Sequence, residues 1–140
     1  MTGRSAIVVD TDVFSALLAP ESALARRYDP VLIGRPVFLS FQTVAEVRFG
    51  AVRRGWGARR LQQLEAAIGR TTTVHSGPEL ITEYVELRAS CERAGHALAQ
   101  REHDADRWVA ATALRLGIPL VSNDRIFEAA PGLWLEAARA

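Results

Sequence analysis

The stretch from His103 to Asp124 constrains this chain more than any other. It opens with two carboxylates, Asp104 and Asp106, where a helix should begin. A nearly uncharged helix follows from Trp108 to Leu116, in which Val109, Ala110, Ala111, Ala113 and Leu114 leave little polar surface. A helix apolar almost all round is a buried one. Gly117 can stop it and Pro119 cannot continue it. Leu120 and Val121 then read as a short core strand ending at Ser122, Asn123 and Asp124. One compact helix–turn–strand unit therefore places acidic side chains at both of its junctions.

The remaining chain must supply the partners of that unit. Its 140 residues suit one domain spanning 1–140. With 49% hydrophobic and 24% charged residues and no low-complexity segment, disorder is not expected. No apolar run approaches the roughly 18 residues of a membrane span, and the run before Asp10 is too short for a signal-peptide core. The single cysteine, Cys91, rules out an intrachain disulfide and suits a reducing, cytoplasmic setting. Its place on the inner stripe of a helix points to packing. The net charge of +1 carries no global nucleic-acid signature. All 17 basic residues are arginine, which provides planar forks for carboxylate or phosphate and leaves no lysine for catalysis.

In chain order, Ala6–Val9 reads as a buried strand ending at Asp10, followed by a helix over Val13–Leu18 with Pro20 as its stop. Glu21–Tyr28 is a second helical piece, interrupted at Asp29-Pro30. Pro36–Ser40 reads as a strand, and Gln42–Arg54 as a helix with Val44, Val47 and Ala51 on one face. Gly55-Trp56-Gly57 connects to a helix defined by Leu61, Leu64 and Ile68. Thr71–His75 is the next strand, and Glu79–Leu98 one long helix. After Asp124 come a short helical turn at Ile126-Phe127 and an edge strand at Leu133–Leu135. Strands alternating with helices argue for an α/β sandwich on a parallel sheet, whose ligands bind beyond the carboxyl ends of the strands.

Four carboxylates stand at comparable places: Asp10 and Asp124 at strand ends, Glu46 on the helix after a strand, and Asp106 at a helix start. Each has a local explanation. Thr43-Val-Ala-Glu46 fits a capping box, Asp12, Asp104 and Asp124 fit N-caps, and Asp106 suits a first helical turn. Together they imply more, because carboxylates converging on one crevice repel and burial opposes their ionisation. A divalent cation resolves that conflict. An all-oxygen set favours Mg²⁺ or Mn²⁺ over zinc, and such ions accept phosphate oxygens as ligands.

Val-Val-Asp10-Thr-Asp12, Thr43-Val-Ala-Glu46-Val-Arg-Phe-Gly50, Asp106-Arg-Trp-Val-Ala-Ala-Thr-Ala113 and Pro119-Leu-Val-Ser-Asn-Asp124 resemble, in order, the four motifs of PIN-domain ribonucleases. The likeness is to VapC-type toxins of toxin–antitoxin pairs and spans nearly the whole chain. It implies a three-layer α/β/α sandwich with a central, mainly parallel sheet of four to five strands. It also implies a Mg²⁺- or Mn²⁺-dependent endoribonuclease that acts through a water nucleophile, with metal-site roles carried onto Asp10, Glu46, Asp106 and Asp124. Asp12 departs from the pattern and is either a further acidic ligand held through water or a cap. Asp104 reads as a cap or an outer support, and Thr112 and Ser122 as groups orienting ligands or water. The partners implied are an RNA substrate, with tRNA and rRNA both compatible, a VapB-type antitoxin and a second copy of the chain. The Val13–Leu18 and Val44–Ala51 helices offer surfaces for the protein contacts.

The segment Arg53-Arg-Gly-Trp-Gly-Ala-Arg-Arg60 combines Arg53, Arg54, Arg59 and Arg60 with Trp56. It can grip RNA backbone and stack a base, touch an antitoxin, or simply join two helices. His75, His96 and His103 are scattered without metal spacing, and local hydrogen bonding is the expectation for His103. Two other readings stay open. Asp10-Thr-Asp12 also resembles the opening of haloacid-dehalogenase-type phosphatases, although that fold wants a basic residue, usually lysine, at the phosphoryl group. A non-catalytic PIN-like interaction module is the second.

Overall fold

The computed structural model describes residues 5–137, so the signal-peptide argument about Met1–Arg4 lies outside it. Strands β1 (Ile7–Val9), β2 (Val37–Ser40), β3 (Thr72–Val74), β4 (Leu120–Val121) and β5 (Leu135–Glu136) form one sheet in the order β3-β2-β1-β4-β5. All four pairings are parallel, with Val8 opposite both Phe38 and Leu120. The strand order reverses direction at β1, so the crevice between the ends of β1 and β4 is the topological switch point at which open α/β sheets bind ligands.

The strands are joined by helices α1 (Thr11–Leu17), α2 (Ala23–Leu32), α3 (Phe41–Arg53), α4 (Ala58–Gly69), α5 (Pro78–Ala94) and α6 (Asp104–Leu116). Alternation along β1 divides the core in two. Ile7 and Val9 join Leu39 and Val121 against apolar residues of α1 to α4, including Phe14, Tyr28, Val47 and Leu64. Val8 joins Leu120 on the opposite face, with Leu80, Leu87 and Cys91 of α5 and Val109 and Ala110 of α6. Ile7, Val8 and Val9 are all 0% exposed, as expected of a parallel strand covered on both faces. Burying each such side chain contributes about 1.5–3 kcal/mol.

Three expectations need correction. Helix α2 runs through Pro30 instead of stopping before it. Ser22 caps its start, and the helix is held by Ala25, Tyr28 and Leu32, all buried on one stripe. That burial outweighs the cost of an exposed proline. Helix α5 ends at Ala94, because Gly95 takes the left-handed conformation (φ 68°) and the chain continues as 3₁₀ turns at Ala97–Ala99 and Arg101–His103. Leu98 reaches the core from the first of these turns. Finally, Val13, Phe14 and Ala16 of α1 and Val44, Val47 and Ala51 of α3 are buried. The apolar side chains that α3 exposes are Phe49 and Val52, at 62% and 74%.

Arg107 is a charge in the core that the apolar reading of its helix did not bring out. It is 1% exposed, and its Nη1 donates to the carbonyls of Leu98 (2.6 Å) and Gln100 (2.7 Å). Its Nε donates to the Tyr84 hydroxyl (3.2 Å) and its Nη2 to Asp104 (3.2 Å). One guanidinium thus ties the 3₁₀ segment to the start of α6 and to α5. Breaking a buried, charge-assisted network leaves unpaired acceptors behind. Arg107→Met is therefore expected to lose about 3 kcal/mol in urea unfolding, and a loss under ~1 kcal/mol would contradict the network's importance. Pro30→Ala is expected to gain about 1–3 kcal/mol in the same measurement, by restoring an ordinary residue to a helix interior.

Candidate functional site

Asp10 leaves the end of β1 directly into the switch-point crevice and is 6% exposed. It is the N-cap of α1: its Oδ1 accepts from the backbone N–H of Val13 at 2.9 Å. Its Oδ2 accepts from the Ser122 hydroxyl at 2.5 Å. Ser122 is itself 0% exposed, and its oxygen accepts from the backbone N–H of Asp124 at 3.0 Å. The ends of β1 and β4 are thereby locked through two side chains. Burial pushes the Asp10 carboxyl up to about 6, against the lowering effect of these two hydrogen bonds. The nearby charges of Asp12 and Asp124 raise it further.

Glu46 lies on α3, one turn beyond Gln42. Its Oε1 accepts from Thr11 Oγ1 (3.4 Å) and Gln42 Nε2 (3.5 Å). The capping box expected here does not form, because α3 starts directly after β2 and Ser40 is its cap, accepting from the N–H of Gln42. Thr43 is instead fully buried, its hydroxyl 3.2 Å from and hydrogen-bonded with that of Thr11. Thr11 and Gln42, unmarked in the sequence reading, therefore orient Glu46. Only the position of Thr11 beside Asp10 hinted at this. The Glu46 carboxyl is raised by burial, with Asp106 and Asp12 adding to the shift.

Asp106 sits in the first turn of α6, as expected, and His103 Nδ1 lies 3.0 Å from its Oδ2. Burial again raises its carboxyl; the His103 hydrogen bond opposes this, and the charges of Asp124 and Asp12 add to it. Asp124 N-caps the 3₁₀ turn Arg125–Phe127 by accepting from the N–H of Ile126 at 3.0 Å. Asp12 is exposed in the first turn of α1 and does not cap it, since Asp10 occupies that role. Asp104 is no cap either: it accepts from the Tyr84 hydroxyl and from Arg107. The Thr112 hydroxyl donates to the Trp108 carbonyl inside its own helix (2.8 Å).

Burial and neighbouring acids thus oppose the ionisation of Asp10, Glu46 and Asp106 around the switch-point crevice. Asp12 and Glu46 line one cavity of it, of about 360 Å³, and Asp12, Asn123 and Asp124 line a second, of about 500 Å³. Among the described residues, no three His, Cys, Asp or Glu side chains already stand in metal-holding geometry. The donor chemistry nevertheless fits a hard dication. Every donor is a carboxylate oxygen, Asp10, Glu46 and Asp106 all have their ionised forms disfavoured by burial, and the hydrogen bonds to Glu46 and Asp106 engage only one oxygen of each.

Trp56 packs its indole partly on the core, while the Arg60 guanidinium lies over its ring at 4.1 Å. Of the five basic-segment residues, Arg54, Trp56 and Arg60 line the first cavity and Arg53 and Arg59 do not.

Comparison with known proteins agrees with this architecture. Residues 7–133 match the family model for the PIN domain. The chain is 32% identical over 135 residues to VapC ribonuclease Y4jK of Sinorhizobium fredii, covering 89% of this chain and 91% of that protein. Among solved structures it resembles VapBC2 from Rickettsia felis bound to a DNA fragment from their promoter (TM-score 0.76, 18% identity, 94% of this chain and 97% of that one). It also resembles VapBC-5 from Mycobacterium tuberculosis (TM-score 0.66, 25% identity, 97% and 98%). With a PIN domain spanning almost all of it and a VapC ribonuclease as a near full-length relative, the chain belongs to the PIN-domain family, among its VapC-type ribonucleases.

Proposed function

We propose that this chain is a Mg²⁺- or Mn²⁺-dependent endoribonuclease, the toxin of a type II toxin–antitoxin pair, cutting phosphodiester bonds in structured RNA such as tRNA or rRNA. What supports the reading is the placement of Asp10 at the switch point of a VapC-type fold, with burial and neighbouring acids opposing the ionisation of Asp10, Glu46 and Asp106. A dication bound there would supply positive charge, acidifying a water and stabilising charge that develops on the phosphate. The chain's own groups prepare for this. Val13 N–H and Ser122 fix the Asp10 carboxylate, Thr11 and Gln42 fix Glu46, and His103 fixes Asp106. Holding carboxylates in place before the ligand arrives spares reorganisation during the reaction.

No side-chain nucleophile is required. Cys91 is 0% exposed and burial pushes its thiol up, away from the reactive thiolate. The phosphatase alternative is not favoured. The chain matches a PIN domain and contains no lysine for the phosphoryl group. Filled acidic positions also argue against a module without catalysis. The expected protein partners are a VapB-type antitoxin, in keeping with the VapBC complexes among the structural relatives, and a second copy. No described helix is long and apolar enough to cross a membrane, which fits the proposed cytoplasmic setting.

Three outcomes test the reading. Mapping of RNA 5′ ends after induced expression should show discrete cleavage with the wild type and none with Asp10→Asn; identical end profiles would refute the assignment. Purified protein should lose cleavage on chelation and regain it with Mg²⁺ or Mn²⁺. The pH dependence has a definite sign. Asp10 must shed its proton to hold a cation, so cleavage at limiting Mg²⁺ should fall about tenfold for each pH unit below about 6.

The same raised carboxyl opposes folding without metal. The folded form titrates near 6 and the reference carboxyl near 3.8, so stability falls as pH rises between them and the full cost, on the order of 3 kcal/mol, applies above. Metal-free Asp10→Asn should therefore melt higher than wild type at pH 7.5, with the gap closing near pH 4. A lower melting temperature at pH 7.5 would show that the buried charge is otherwise compensated.

A further inference from the structure

The cavity of about 360 Å³ beside the carboxylates has a basic, aromatic wall whose purpose the acidic site does not explain. It lies between α1, α3 and the connector from α3 to α4. Asp12 and Glu46 stand on its acidic side, and Arg54, Trp56 and Arg60 on the other. Its volume falls within the ~300–1,000 Å³ typical of small-ligand sites. We infer that this cavity is a subsite for a single unpaired ribonucleotide next to the scissile phosphate, with its base on the Trp56–Arg60 platform and its phosphate paired with Arg54. The inference rests on the ribonuclease reading above and adds to it what the RNA must offer: a base turned out of its helix.

Three features support this occupant. The Arg60 guanidinium covers the Trp56 ring at 4.1 Å, so a flat cation is already presented as a stacking surface. Unpaired RNA bases stack on aromatic rings and on arginine planes alike. Gly50 also lines the cavity, and a Cβ there would come within 3.3 Å of Arg54 Nη1. A side chain there would have to share that space with the guanidinium. Lastly, Glu46 belongs both to this cavity and to the proposed acidic set, so an occupant would stand beside one of its carboxylates. A duplex keeps its bases stacked and paired and cannot place one here. An acidic peptide would satisfy the arginines but leave the stacking platform unused.

The test uses the full chain and a short fluorescein-labelled single-stranded RNA of mixed sequence. Ca²⁺ replaces Mg²⁺, and anisotropy reads binding. A second probe is the same strand built of abasic ribose phosphates. Wild type should bind the strand with bases about tenfold more tightly than the abasic one, the usual scale of a lost base stack. Arg60→Ala and Gly50→Leu, which removes the stacking cation in one case and fills the space in the other, should each abolish that preference. Arg88→Ala, an equal loss of charge on the exposed face of α5, should retain it. Trp56 is left intact because it also packs on the core.

Equal binding of the two strands by wild type would overturn the subsite, as would variants that discriminate like wild type. Variants that keep the base preference yet fail to bind the antitoxin would reassign the cavity to a protein partner. Cleavage of the same strand in Mg²⁺ is read separately. A base preference together with unchanged RNA 5′ ends on induced expression would sink the ribonuclease reading and leave the cavity standing as a nucleotide-binding site. Cleavage without a base preference would do the reverse.

Discussion

The position of Asp10 at the end of a strand hydrogen-bonded on both sides governs the rest of the structure. Strand β1 pairs in parallel with β2 and β4, and its three side chains are fully buried against helices on both faces of the sheet. Such a strand has no freedom to slide or twist, so its last residue emerges at one fixed point. There the carboxylate is taken out of water and held by Val13 N–H and the Ser122 hydroxyl. These bonds position it without neutralising it. The buried charge remains a cost to folding that a cation can remove.

The other acids proposed for the site come from different elements. Glu46 comes from a helix whose start is fixed by Ser40 at the end of β2, and Asp106 from the first turn of α6. Arg107 fixes that turn against the 3₁₀ segment, which also carries His103 to Asp106. Three of the four proposed metal-site acids are held by side-chain or backbone hydrogen bonds: Asp10 by Val13 and Ser122, Glu46 by Thr11 and Gln42, and Asp106 by His103. Pre-placement of this kind concentrates repulsion where the proposed dication would bind. Along the same rim the character changes from acidic to basic over the width of one helix. Asp12 and Glu46 face Arg54 and Arg60 across a cavity.

Much of the fold could be read directly. The run Leu120-Val121 between Pro119 and Ser122, and the apolar helix before it, specified a buried strand and its covering layer, because polar backbone so enclosed has few alternatives. Asp10, Glu46, Asp106 and Asp124 stood out through their positions at element ends and through their order. Boundaries were less legible. Pro30 and Gly95 carry opposite lessons: the proline signal yielded to the burial of Tyr28 and Leu32, whereas the glycine ended a helix whose apolar pattern continued to Leu98. Caps were assigned to the wrong acid at α1 and to the wrong residues at α3. A side-chain oxygen's choice among neighbouring N–H groups depends on where the helix begins, and that can shift by two residues.

By itself, the sequence determined that strands and helices alternate around a buried parallel sheet and that acids lie at the strand ends, since hydrophobic period and turn chemistry are local properties. Tertiary structure alone decided that Ser122 bonds Asp10, that Thr11 reaches Glu46, that Arg107 is buried rather than solvated, and that Gly50 and Arg54 line one cavity. Several of these link residues far apart in the chain, and all depend on how helices seat against the sheet. Spacing along one strand of sequence carries no record of the gap between two packed surfaces, and it is that gap which sets where a charge is desolvated and what can enter beside it.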